Sequence, residues 1–481
     1  MRFIVENFGP IEKADIRVRD LNVFIGRNST GKSYLAYLIW CFLAVEPDWN
    51  KLKELIDKYV PKELISEVIE KDKELHKKLK NQKKIDFKSY VEELNNLTDK
   101  VSKGVKDLII EAFKRFDEIW GRNLEELIKD TFMVDDLKEL IRFGKDSAKI
   151  IVCNDNCTMN IYVNIDEKGL TVEIDETVIR EIQENIFVTA ISEEPMLLIL
   201  LDYSKGGSDV PHHEYIIENY QIVGVIPIVF GWVFDGYLPY HSTFIAPDGR
   251  DGLIRSREVY LHALLSNVVI NEVDRRFMRF LESLYPKTKN EKISKVASFI
   301  EEKLGIEYIL QRDVPRYVIS INDLKIPIQR APSGYKEIAP LIYAMKFGLD
   351  EGDIIIVEEP EAHLHPDAQV VITRALAKLS KYTDVIITTH SITVLDEISN
   401  LLRVNGLSPD EKKKLGYDED EGLSPENLGI YLFSDGKVEE LKVYEDGIEE
   451  TELDRVIIEI ANMHARVDEY YERSRRLQAQ R

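Results

Sequence analysis

The stretch Gly26-Arg27-Asn28-Ser29-Thr30-Gly31-Lys32-Ser33 constrains this chain more than any other. It satisfies G-x-x-x-x-G-K-[ST] in full, and its surroundings are those the pattern needs. An apolar strand-like run, Leu21–Ile25, leads into it, and an apolar helical run, Tyr34 to Val45, leads out. Glycines at both ends let the backbone curl until successive N–H groups point inward at phosphate oxygens, a nest that side chains cannot build as tightly. The helix that follows adds the positive end of its dipole. Lys32 is then placed to reach the β- and γ-phosphates of a nucleotide, and the Ser33 hydroxyl to ligate Mg²⁺.

The chain is long enough, at 481 residues, for two or three structural units with a sizeable core. Its 64 Lys+Arg against 86 Asp+Glu leave a formal charge of −22, which argues against broad wrapping of nucleic acid but permits a local basic groove. Three Cys build no disulfide framework, so a reducing, cytoplasmic setting is expected. The opening Met1-Arg2-Phe3-Ile4-Val5-Glu6 carries no apolar leader. The uncharged segment Asn219–Phe234 contains Pro227 and falls short of the ~20 residues that span a bilayer, so no membrane partner is expected.

Periodicity divides the chain further. Phe3–Phe8, Ala14–Val18 and Leu21–Ile25 alternate as strands. From Asp48 to Phe143 apolar residues recur at spacings of three and four, as in Leu52-Leu55-Ile56-Tyr59, with Pro61 and Gly104 as interruptions and no sustained heptads. Strand patterns return at Lys149–Val163 and Gly169–Ile174, a mixed region runs to about Pro239, helices fill Ser256–Leu304, and Ile306–Ile328 reads as three short strands. Two apolar strands, Ile354–Val357 and Val385–Thr388, flank a helix at Pro366–Leu379, which predicts a parallel sheet.

Each of those last strands ends in chemistry. Ile354-Ile355-Ile356-Val357 runs into Glu358-Glu359-Pro360-Glu361, and adjacent carboxylates at a strand end point to opposite sides. Glu358 stands where a metal-shell Asp is usual; its extra methylene lengthens the metal contact. Glu359 is the candidate for polarising an attacking water. The next strand ends in Thr388-Thr389-His390-Ser391, which puts His390 at the strand edge to hold that water or bond the γ-phosphate.

Together these motifs resemble the ATP-binding-cassette (ABC) class of P-loop ATPases, in the branch of AAA-domain proteins that includes RecF, SMC and the overcoming-lysogenization-defect (OLD) nucleases. The resemblance covers residues 1–45 and about 240–450. Its anchors are Glu6-Asn7-Phe8-Gly9-Pro10-Ile11, the P-loop, Glu358 to Pro366 and Thr389-His390-Ser391, with Phe244-Ile245-Ala246-Pro247-Asp248-Gly249-Arg250 resembling the branch's strand-Pro-x-x-Arg motif. It implies an α/β fold: a P-loop NTPase with an ABC-type head, in which a mixed β-sheet lobe joins a parallel-sheet core, and a helical insertion. The implied boundaries are 1–47 for the first part of the head, 48–145 for the insertion, 146–250 for the β-rich part, 251–330 for a helical lobe with short strands, 331–450 for the core and 451–481 for a C-terminal helix. The cofactors implied are ATP and Mg²⁺, with Gly26 to Ser33 around the nucleotide, Ser33 and Glu358 on the metal, and Glu359, His390 and Lys32 in catalysis.

In that branch a Ser-Gly helix of one subunit caps the γ-phosphate held by the other, so ATP bridges a head-to-tail homodimer. Ser333 and Gly334, in Pro332-Ser333-Gly334-Tyr335-Lys336-Glu337, occupy the corresponding place, although Tyr335-Lys336 replace the Gly-Gln of a transporter signature. Three readings follow: an ATPase that switches a separate partner such as a nuclease in a defence assembly, a RecF- or SMC-like ATPase acting on DNA, and an ATP-gated protein-interaction module. The OLD nucleases carry a C-terminal Toprim domain, and the residues after Ser391 are too few for one.

Weaker features have plainer readings. His363 and His365 near three Glu suggest a metal, but they fit better as part of the loop after the acidic strand. Cys153 and Cys157 flank the turn Asn154-Asp155-Asn156 and read as a hairpin tip without zinc. Lys71–Lys88 and the Arg-rich 466–481 are the best local candidates for nucleic acid, Gln221 is a weak candidate for a glutamine loop, and Asp418–Glu421 reads as an exposed acidic loop within Ser408–Asn427.

Overall fold

The computed structural model describes residues 1–80, 87–193, 196–203, 213–217, 243–264, 270–314, 316–449, 459 and 461–471. The chain divides into two compact units, Met1–Glu12 with Leu38–His241, and Lys13–Tyr37 with Ser242–Arg481.

In the first unit, Arg2–Phe8, Ala148–Cys153, Asn160–Asp166 and Gly169–Ile174 form successive antiparallel neighbours. Their alternate residues, such as Phe3, Val5, Ile150, Val152, Ile161 and Val163, are buried, as the period of two requires. The expected helical stretch contains Trp49–Tyr59, Lys62–Lys80, Phe87–Lys114 and Arg122–Phe132. Pro61 does separate two helices. Gly104 does not interrupt its own: the helix Phe87–Lys114 runs straight through it. A Cβ at Gly104 would lie 2.2 Å from the Tyr59 carbonyl oxygen, so the glycine is there to let two helices touch. Val101, Val105, Leu108, Ile109 and Ala112 line the buried face of that helix. Cys153 and Cys157 lie, as expected, at the tip of the hairpin formed by Ala148–Cys153 and Asn160–Asp166, and they are joined in a disulfide, which the expectation of a reducing setting did not foresee. The mixed region holds a helix at Glu176–Asn185 and an antiparallel trio, Ile186–Glu193, Met196–Tyr203 and His213–Ile217.

The second unit is built on a sheet whose order is Thr243–Ala246, Ile354–Glu358, Asp384–Thr389, Leu21–Gly26 and Leu428–Ser434, all parallel. Lys437–Glu440 then pairs antiparallel with Leu428–Ser434. Every residue of Leu21–Gly26 and of Ile354–Glu358 is buried, which is why these strands read as apolar runs broken only by Asn22 and the terminal Glu358. Their faces are covered by helices that include Glu291–Leu304, Ser333–Phe347, Pro366–Leu379 and Ile392–Asn405. The three short strands expected before the core are Glu307–Leu310, Tyr317–Ile321 and Leu324–Pro327, antiparallel.

One expectation holds only in part in this unit. Asp418, Glu419 and Asp420 are exposed as expected of a surface acidic loop, but Glu421 is 1% exposed. Its two carboxylate oxygens accept from Arg374 Nε at 2.7 Å and Nη2 at 2.5 Å. One turn along the same helix, Lys378 pairs with Asp418 at 3.3 Å and with Asp420. The cationic stripe at i and i+4 on Pro366–Leu379 thus anchors the acidic run at its last residue, since the buried Arg374 guanidinium needs the Glu421 carboxylate, while Lys378 pairs with the exposed Asp418 and Asp420.

Among the described residues no helix is long and apolar enough to cross a membrane. The segment 219–234 with Gln221, residues 81–86 of the lysine-rich stretch and 472–481 of the Arg-rich tail lie outside the described residues.

Candidate functional site

Strand register brings the chemistry together. Thr389 lies beside Ile25, Glu358 beside Thr388, and Phe433 beside Gly26. The loop from Gly26, the acidic turn from Glu358 and His390 therefore leave the sheet at one edge, the carboxyl ends of parallel strands, where ligands of such sheets collect.

The loop backbone needs its glycines. Gly26 has φ +146, and a Cβ on it would sit 2.4 Å from the Phe433 carbonyl oxygen. Gly31 has φ +103, and Ser29 adopts the left-handed region at φ 65. The Thr30 hydroxyl donates to the Arg27 carbonyl at 2.8 Å. Arg27, Asn28 and Ser29 face solvent, while Gly31 and Lys32 are buried and Ser33 is half-buried at the first turn of the helix Lys32–Ala44. Lys32 Nζ donates to the carbonyls of Gly26 at 2.9 Å and Arg27 at 3.0 Å, folded back over the loop. Burial pulls its pKa below the usual lysine value, and the fields of Glu359, Glu361 and Glu358 oppose that shift.

Glu358 is 4% exposed. Its Oε2 accepts from the Asp248 main-chain N–H at 3.1 Å and from the Tyr37 hydroxyl. Tyr37 stands four residues after Ser33 and so lies on the same helical face. Burial first, then the Glu358 charge and hydrogen bond, raise the Tyr37 pKa well above the ordinary value, so the phenol stays a donor.

Glu359 takes φ 40, a left-handed conformation uncommon for a side chain of its kind. Its N–H donates to the Thr388 carbonyl at 2.9 Å, and its carboxylate lies 3.3 Å from His390 Nδ1. Glu361 is 5% exposed; its Oε1 accepts from the Thr389 hydroxyl at 2.5 Å and from the His390 N–H at 3.2 Å, and lies 3.9 Å from His390 Nδ1. Glu361 thus shapes the turn that presents His390, a part the sequence motif alone did not assign it.

Ser333 opens the helix Ser333–Phe347 and is exposed there. A Cβ on Gly334 would meet the His363 carbonyl oxygen at 3.1 Å, so the loop after the acidic strand runs against this helix start. His363 and His365 gather no metal-like set, and no such cluster is found among the described residues. His365 instead caps the helix Pro366–Leu379, with Nδ1 accepting from the Asp367 N–H at 3.4 Å.

Arg250 ties these parts into one frame, although the sequence marked it only as part of a motif. It is 0% exposed, and it bonds the main-chain carbonyls of Glu358 at 2.6 Å and Glu359 at 3.2 Å. The same guanidinium is ion-paired with Glu337 at 2.8 Å.

Several known structures match with low scores. They include the SMC head bound to the C-winged helix domain of ScpA (10% identity, TM-score 0.39, covering 91% of this chain and 96% of that one). The SMC head domain from Thermotoga maritima matches at 11% identity and TM-score 0.34, over 92% and 98% of the two chains. The recombination mediator protein RecF-ATPrS in the RecFOR pathway matches at 11% identity and TM-score 0.32, over 91% and 97%. Likenesses of this size carry no inference about activity. No curated protein shows significant sequence similarity to the chain. A family profile is decisive where these are not: that of the AAA ATPase domain matches residues 1–182 and 258–395, taking in the phosphate loop, the acidic turn and His390. By that match, which spans well over half its length, the chain belongs to the AAA ATPase domain family.

Proposed function

We propose that the chain binds ATP with Mg²⁺ and hydrolyses it in a composite site, the Gly26–Ser33 loop of one subunit facing the Ser333–Gly334 helix start of another, and that the cycle switches a protein partner. The observation that carries this reading is the 3.3 Å approach of Glu359 to His390 at the strand edge that also holds the phosphate loop. Glu359 accepts the proton of the attacking water, and His390 orients that water or bonds the γ-phosphate. Lys32, released from the Gly26 and Arg27 carbonyls, swings its charge to the phosphates.

The donors available for Mg²⁺ suit it: the Ser33 hydroxyl and the Glu358 carboxylate are hard oxygens, and this ion takes one or two protein ligands beside phosphate and water. When bound, it neutralises charge on the β- and γ-phosphates. Tyr37 and the Asp248 N–H hold Glu358 in one orientation for that task.

The partner class that fits is a separate effector protein, a nuclease in a defence-type assembly being the form proposed. The helical stretch 48–145 carries no part of the nucleotide machinery and is the proposed partner-reading surface. A Glu359→Gln protein tests the site: it should retain ATP, lose at least about 100-fold in turnover, as expected when a general base is removed, and sediment as a dimer with ATP. An unchanged rate of phosphate release would sink the assignment.

A further inference from the structure

Arg250 is wholly buried and uses its donors in two directions. Nη1 bonds the carbonyls of Ala246 at 3.3 Å, Pro247 at 2.9 Å and Glu358 at 2.6 Å. Nη2 bonds the Glu359 carbonyl at 3.2 Å. Toward the helix Ser333–Phe347, Nε bonds the Glu337 carbonyl at 3.2 Å and Nη2 meets the Glu337 carboxylate at 2.8 Å. Glu337 is itself 0% exposed, and its other oxygen accepts from the Asp251 N–H at 3.0 Å. A second pair repeats the tie one residue along, with Lys336 Nζ 3.0 Å from Asp251. The close approach of Gly334 to the His363 carbonyl adds a direct contact between the same helix and the loop that follows the acidic turn.

A guanidinium is a planar fork with fixed donor directions, so its acceptors cannot move independently without breaking bonds in a site closed to water. The carbonyls it holds belong to Glu358 and Glu359, which serve the subunit's own nucleotide. The helix it holds carries Ser333, which in the composite site serves the nucleotide of the other subunit. We infer that Arg250 is a positioning residue that couples the two nucleotide sites of the dimer: a shift of the acidic turn on ATP binding is passed through the Arg250–Glu337 pair to the helix that closes the second site. This rests on the ATP-bridged dimer proposed above.

The test compares wild type with Arg250→Lys, which keeps the charge and loses the fork, and with the double variant Arg250→Met/Glu337→Leu, which fills the space without a buried charge. Equilibrium binding of a fluorescent ATP analogue, and the ATP dependence of phosphate release at saturating dimer concentration, are read for each. Wild type should show a Hill coefficient above 1. Both variants should bind the analogue within about threefold of wild type, lose about tenfold or more in kcat, and give a Hill coefficient of 1. A structural role alone would let Arg250→Lys behave as wild type, and that result overturns the inference. So does a wild-type Hill coefficient of 1, or a folded variant whose analogue binding is lost together with turnover. Should the double variant not fold, Glu337→Gln, which keeps shape and removes the charge, is decided by the same two readings. Glu359→Gln in parallel separates the cases, because wild-type turnover there would remove the site assignment itself and not merely the coupling.

Discussion

The Glu361 carboxylate and the Thr389 hydroxyl meet at 2.5 Å, joining the acidic turn to the end of the strand that presents His390. Glu361 Oε2 is buried and has no hydrogen-bond partner among the described residues. Glu361→Ala would leave the buried Thr389 hydroxyl without its acceptor, at a cost of about 1–3 kcal/mol. Turnover should fall tenfold or more while the affinity for ATP stays within threefold, since the phosphate loop is untouched. Thermal melting and the separate measurement of kcat and nucleotide Kd check both parts.

Gly26→Ala forces a Cβ to within 2.4 Å of the Phe433 carbonyl oxygen at φ +146. Either the loop or the neighbouring strand must move. We expect a stability loss of about 1–3 kcal/mol from the backbone strain, and nucleotide affinity lowered at least tenfold. Calorimetric titration with ATP measures the second. Full retention of affinity would mean that the loop geometry does not need this glycine.

The Arg374–Glu421 pair makes a contrasting forecast. Either residue changed alone to Leu leaves a buried charge uncompensated and should cost about 3–5 kcal/mol. The double change to Leu should recover most of that loss. A denaturant-unfolding double-mutant cycle reads the coupling, and additive single losses would show the pair to be unimportant.

Glu397 supplies a pH dependence. Burial raises its pKa above the ordinary 4.5, against hydrogen bonds from Asn400 and Tyr417 and the Arg374 charge, which lower it. A carboxyl raised on folding favours the native state most below the unfolded value, and that contribution disappears as pH climbs through the folded value. Relative to Glu397→Gln, the wild type should therefore lose stability as pH rises above 4.5 and through the raised folded-state value. Melting temperatures of the two proteins across that range, compared as a difference, give the sign directly.

Much of the core was legible because its signals are local. Leu21–Gly26 and Ile354–Glu358 are apolar runs with punctuation at their ends, and each motif sits within a few residues of its strand. What escaped depends on partners far along the chain. Glu421 is buried because Arg374, 47 residues earlier, reaches it, and Gly104 leaves its helix intact because Tyr59 packs against it. Arg250 was visible as a motif member, but its reach to Glu337, 87 residues on, exists only in the folded chain. The bond between Cys153 and Cys157 likewise needed the hairpin that places them together.

The strand Leu21–Gly26 lies between Asp384–Thr389 and Leu428–Ser434, so the phosphate loop is made early and housed late. While the chain emerges from a ribosome, that strand has neither neighbour until residues beyond 380 and then 430 have been synthesised, an interval of roughly 20–80 s at the usual 5–20 residues per second. For that time its apolar edge is open to wrong pairing. No competent nucleotide pocket can exist on the nascent chain, and a truncated product lacking the last strands would be a chaperone client and not a slow enzyme.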